Sequence, residues 1–145
     1  MEKAIYFDMD GTIADLYGVK NWLSALCAER VEPYIHARPL VDMVELSKTL
    51  CKLRNNGYHI GVVSWTAKDG SAEYNARVAE AKKFWLSQNV YCHIDEVKIV
   101  PYGTPKQNVV EYPRGIIFDD DCGVREYWNG TAYNVDNIVE MLKVL

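Results

Sequence analysis

Short apolar runs alternate with longer amphipathic stretches along this chain. Ala4-Ile5-Tyr6-Phe7 reads as a buried strand, broken at Asp8-Met9-Asp10-Gly11-Thr12 where acids and a glycine follow. Ile60-Gly61-Val62-Val63-Ser64 repeats the pattern and ends on a hydroxyl. Glu96 to Val100 predicts a third strand, and Gly115-Ile116-Ile117-Phe118 a fourth that runs into Asp119-Asp120-Asp121. Between these runs the period changes. Leu16 to Arg38 is mixed, with Trp22, Leu23, Leu26 and Cys27 at helical spacing, and Pro33 and Pro39 bracket a predicted loop around His36. A helix follows with Leu40, Val44, Leu46, Leu50 and Leu53 on or near one face, stopping at Asn55-Asn56-Gly57. Residues 71–89 predict another, with Val78, Ala81 and Trp85 as the packing stripe. Thr104-Pro105-Lys106 predicts a helix start: a capping threonine, a proline at the first position and a lysine in the first turn. Asn129-Gly130 is a turn, Thr131 to Tyr133 a short edge strand, and 135–144 a closing amphipathic helix.

Strands alternating with helices imply βαβ units and a mainly parallel sheet flanked by helices, an α/β three-layer sandwich. Right-handed crossovers bring the ends of parallel strands to one edge. Asp8, Ser64 and Asp119/Asp120, each at a strand end, should therefore converge. No repeat, low-complexity segment or linker divides the 145 residues, so one domain spanning 1–145 is expected.

Composition adds limits. Hydrophobic residues make up 49% and charged residues 25%, ordinary for a globular chain. The net charge of -4 argues against a general nucleic-acid surface, which is usually basic. It leaves room for a small phosphorylated ligand, because a bound cation reverses the local field. Cys27, Cys51, Cys92 and Cys122 form no C-x-x-C pair and have no histidine at zinc-finger spacing. They read as free, mostly buried thiols in a reducing compartment. A strand begins within three residues of Met1, leaving no place for a signal peptide, and no apolar run approaches the roughly 20 residues that span a bilayer. A cytoplasmic location is the expectation.

The chemistry lies in the acids. Asp8 and Asp10 are costly to ionise together without a cation. A hard divalent ion with oxygen ligands resolves the conflict, and Mg2+ is usual where a substrate phosphate completes the shell. One carboxylate can then attack phosphorus while its neighbour handles the proton. Taken alone, the stretch also fits a polar turn after a strand.

Four segments in order give this chain a resemblance to the haloacid dehalogenase-like (HAD) superfamily of phosphohydrolases. Asp8-Met9-Asp10-Gly11-Thr12 resembles the first motif, Val62-Val63-Ser64 the second, Lys106 the third, and Phe118-Asp119-Asp120 the fourth in its double-aspartate form. The resemblance implies a HAD-like Rossmannoid fold and a set of roles. Asp8 would become an aspartyl phosphate. Asp10 would protonate the leaving oxygen and then activate water. Mg2+ would be held by the Asp8 carboxylate, the Asp10 backbone carbonyl and a fourth-motif aspartate, with Asp120 favoured as the direct ligand and Asp119 in support. Ser64 would donate to a phosphoryl oxygen, and Lys106 would balance the carboxylates and hold the phosphate.

Thr66 competes with Ser64, and Lys82 and Lys83 with Lys106, although mid-helix lysines read as surface charges. Asp15 and Asp121 read as caps, and His36, His59 and His93 as structural or exposed. Trp65 could line a substrate pocket or sit in the core. Members of the superfamily usually select substrates with an inserted cap. Here 16–40 allows one or two small helices and 101–105 only a loop, so the cap is minimal or absent. Tyr17, Trp22 and Tyr34 could form a small aromatic lid over a base. The expected function is Mg2+-dependent hydrolysis of a phosphomonoester, a nucleotide or another small phosphorylated metabolite. The alternatives are a phosphatase for polynucleotide ends or phosphoproteins, and a HAD-like binding module without turnover. The intact acidic set speaks against the last. Small capless relatives often shield their sites with a second subunit, which points to a homodimer.

Overall fold

A computed structural model describes residues 2–145. Its centre is a five-stranded sheet built from β1 (Ala4–Phe7), β4 (His59–Trp65), β5 (Glu96–Val100), β6 (Ile116–Phe118) and β7 (Thr131–Tyr133). The order is β5-β4-β1-β6-β7 and every pair is parallel. A strand covered on both faces must be apolar on both, which is why β1, the central strand, is an unbroken buried run. Its alternate residues part to opposite layers. Ile5 and Phe7 join Leu46, Leu50 and Leu53 of α3 (Met43–Asn55), Trp85 of α4 (Ala72–Asn89) and Ile138 of α6 (Ile138–Leu142). Ala4 and Tyr6 face Val124 of α5 (Cys122–Tyr127) and Trp128. The molecule is thus an α/β three-layer, Rossmann-like sandwich.

Local chemistry fixes the helix starts. Asp42 accepts from the backbone N–H of Val44 and Glu45, both at 3.1 Å, and Ser71 accepts from Tyr74 N at 3.1 Å. Asp15 and Asp121 cap as expected, accepting from Gly18 N and Val124 N. Gly61 is required because a side chain there would enter the Tyr6 ring.

Between β1 and α3 lies a small insert. A two-residue antiparallel ribbon, β2 (Ala14–Asp15) with β3 (Arg38–Pro39), closes its base. Inside it are a 3₁₀ turn (Leu16–Gly18), α1 (Trp22–Cys27) and α2 (Glu32–His36). Leu16 and Tyr34 of the insert pack with Ala67 and with Tyr74, Val78 and Ala81 of α4.

Several local expectations are corrected. The loop expected around His36 is helix α2, because Pro33 falls in its first turn where no N–H is needed. Thr104 does not cap: its hydroxyl donates to Pro101 O at 2.6 Å, and Lys106 begins a single 3₁₀ turn, Lys106–Asn108. Leu40 and Val44 are both exposed: Leu40 precedes α3, which begins after Asp42, and Val44 lies within α3 but off the face that buries Leu46, Leu50 and Leu53. The four thiols are free but not mostly buried: Cys27 and Cys122 are exposed, and Cys51 and Cys92 partly so. Among the described residues, no helix is long and apolar enough to cross a membrane.

Candidate metal centre

The chain runs outward from β1 to β4 and β5, then returns to place β6 on the other side of β1. Open parallel sheets bind ligands beyond the carboxyl ends of the strands where the order reverses. Asp8 follows the last residue of β1, and Asp119 the last of β6. The two ends are tied directly, since Asp8 N donates to Phe118 O at 3.0 Å.

Asp8, Asp119 and Asp120 bring carboxylate oxygens within 4.8 Å of one another. One cation answers them. Lys106 Nζ donates to Asp8 Oδ1 at 2.9 Å and to Asp119 Oδ2 at 2.6 Å. Burial pulls the Lys106 ammonium down, but Asp8 and Asp119 more than offset this and its pKa is raised. Asp119 is fully buried, and its Oδ1 accepts from Asp121 N at 2.9 Å. Thr12 supplies one long donor to Asp8 Oδ2 at 3.3 Å and to Asp120 Oδ1 at 3.4 Å.

Three carboxylates and one lysine leave an excess of negative charge. Burial, and then the Asp8 charge, push Asp119 up to about 6 and Asp120 up to about 7. Such a set fits a hard divalent cation, which prefers carboxylate oxygens and would relieve the repulsion. The three aspartates could hold a metal ion.

Asp10 lies apart from this group. Its Oδ2 accepts from Lys82 Nζ at 2.8 Å. Burial raises the Asp10 pKa, with Lys82 opposing and Asp8 adding to the rise. Lys82 Nζ also donates to Ser64 Oγ and to Trp65 O, both at 2.7 Å. Ser64 is buried at the end of β4, its hydroxyl oxygen taken by this lysine.

Lys82 is the residue that the sequence reading misplaced. It is 1% exposed, not a surface charge, whereas Lys83 is exposed beside Glu80. A signal was present. Positions 78, 81, 82 and 85 are spaced i, i+3, i+4, i+7, so Lys82 falls inside the apolar stripe of α4.

All six expected site residues, Asp8, Asp10, Ser64, Lys106, Asp119 and Asp120, line one cavity of about 850 Å³. Tyr17, Trp22, Tyr34 and Trp65 line it too, as does Tyr102, which the sequence reading did not single out. Trp22 meets Tyr17 edge-on with centroids 5.0 Å apart, and Tyr102 lies 4.9 Å from Trp65. Tyr17 and Tyr102 are each 52% exposed at the rim.

A second group, His59, Glu96 and Glu111, also brings potential ligand atoms within 4.8 Å. Glu96 is already engaged, with Tyr6 Oη donating at 2.8 Å, His59 Nε2 at 2.9 Å and Glu111 N donating at 3.1 Å. This network satisfies the buried hydroxyl of Tyr6, whose pKa burial and Glu96 raise.

No protein-family model matches the chain, and no curated protein matches it.

Proposed function

We propose that this chain is a metal-dependent phosphomonoester hydrolase of the HAD-like type, with Asp8 as nucleophile. One observation carries the reading: Asp8 shares a lysine with Asp119 and oxygen-to-oxygen proximity with Asp119 and Asp120, while Asp10, two residues on, is held outside that group. A nucleophile and an acid/base with different surroundings are what two-step covalent transfer requires.

In the first step an Asp8 oxygen attacks phosphorus and the P–O bond to the leaving group breaks. Asp10 gives its proton to the departing oxygen, and burial favours its protonated form beforehand. In the second step Asp10 takes a proton from water as the water oxygen attacks the aspartyl phosphate. Asp8 is released as carboxylate with inorganic phosphate. Lys106 donates to the Asp8 carboxylate and aims it. Mg2+, held by the Asp8 and Asp120 carboxylates and the Asp10 backbone carbonyl with Asp119 in support, would neutralise charge on the phosphoryl oxygens. Ser64 would donate its one proton toward that group, its oxygen already accepting from Lys82.

The aromatic lining supports a planar leaving group, so a nucleoside monophosphate or another small phosphorylated metabolite is the substrate class. The test is hydrolysis of p-nitrophenyl phosphate and a panel of nucleoside monophosphates. Turnover should need Mg2+, stop with EDTA and vanish in Asp8→Asn. Full activity in Asp8→Asn would remove the covalent mechanism.

A further inference from the structure

We propose that Lys82 is a positioning residue for the Asp10 carboxylate, an inference that rests on the hydrolase reading above. An ammonium has three donors and no acceptor. All three of Lys82's are used, on Ser64 Oγ, Trp65 O and Asp10 Oδ2. The first two partners belong to β4 and its end, so the ammonium is anchored to the sheet. The third contact then fixes Asp10 relative to that anchor. Tyr34 closes over the ammonium with its ring centre 5.3 Å from Nζ.

Stability alone does not account for the pair. Burying an ammonium beside a carboxyl group carries a desolvation penalty, and apolar replacements of buried ion pairs are often neutral or better. Nor is Lys82 needed as the counter-charge of Asp8, because Lys106 fills that role and makes no hydrogen bond to Asp10. The two lysines divide the two aspartates between them. Asp10 sits on the loop after β1, close enough to feel the Asp8 charge, where an unheld carboxylate could turn to a cation or to solvent. Lys82 restrains Oδ2, and among the described residues no protein donor holds Oδ1. One oxygen of the acid/base is thereby fixed and the other left available for proton transfer.

Lys82→Met keeps the length of the side chain and removes its charge. The expected result is a loss of about a hundredfold in kcat/KM for a nucleoside 5′-monophosphate, whose alkoxide must leave with a proton. For p-nitrophenyl phosphate, whose leaving oxygen departs without one, the loss is expected to be at least tenfold smaller. Because kcat/KM reports only steps through transfer to Asp8, slow hydrolysis of the intermediate does not blur the comparison. Equal losses on the two esters would overturn the proposal, since a merely structural lysine would lower both alike. If Lys82→Met fails to fold, Asp10→Asn is compared with the Asp10→Asn/Lys82→Met pair, which removes both charges. Values within about threefold of each other support the proposal, and a further loss of about tenfold or more overturns it. A wild-type chain that turns over no ester would overturn this proposal and the hydrolase reading together. Wild-type turnover abolished by Asp8→Asn, with equal losses in Lys82→Met, would overturn this proposal alone.

Discussion

Thr12 has a single hydroxyl proton and two carboxylates within reach, Asp8 at 3.3 Å and Asp120 at 3.4 Å. Neither contact is short, and among the described residues Asp120 makes no ion pair. It is the least compensated member of the acidic group, which is why partial desolvation of its carboxyl, and then Asp8, push it up to about 7 although the residue is exposed. Asp120→Asn removes that repulsion and one candidate metal ligand together. Without divalent cation the variant should melt higher than wild type. The gain is at most about 1 kcal/mol once solvent screening of this exposed group is allowed for. That corresponds to roughly 2–4 °C. Added Mg2+ should raise the wild-type melting temperature and leave the variant almost unmoved. A variant that melts lower and still responds to Mg2+ would show that Asp120 is neither strained nor a ligand.

Two short elements do most of the placing. The loop after β1 turns at Gly11, where φ is +80° and any side chain would run into the Asp120 carboxylate. Gly11→Ala should cost about 1–2 kcal/mol from the backbone alone. It should also displace Asp120 and weaken Mg2+ binding, as urea titration and calorimetry would show. Unchanged affinity would mean that the loop yields without disturbing the acids. Glycine and aspartate at this turn were legible in the sequence because both interrupt an apolar run. The 3₁₀ turn that carries Lys106 was legible only as a helix start, since proline and threonine there suit either structure. Helix α4 was found, but Lys82 was not recognised within it. A charged residue at a core position carries no sign of its partner, and that partner lies 72 residues away.

For the whole molecule, the crowded acidic edge ties folding to pH, and a bound cation would add a second link. Asp119 and Asp120 have folded-state values near 6 and 7, above the ordinary carboxylate range. A raised carboxyl favours the folded state while it holds its proton. That contribution is present below the unfolded value and is lost as pH rises through about 6 to 7. Metal-free protein should therefore lose melting temperature between about pH 5 and about pH 8, and saturating Mg2+ should remove the slope by binding the ionised group. A flat profile without metal would contradict the crowding of the acids. The gathering of the strand ends was legible from the alternation of runs alone, because parallel strands leave little freedom in where their ends lie. Contacts between side chains were not legible. The sharing of Lys106 between two aspartates, and the cavity wall that Tyr102 adds, depend on how segments far apart in sequence meet.

The insert seats Leu16 and Tyr34 on α4 and is closed at its base by the β2–β3 ribbon. Swinging it as a door would expose both side chains, at about 1.5–3 kcal/mol for each. It would then act as a fixed jamb, and the half-exposed Tyr17 and Tyr102 leave the cavity's rim in contact with solvent. A phosphoryl group parked on Asp8 would always have a water molecule at hand, so its fate would be hydrolysis and not delivery to a second acceptor.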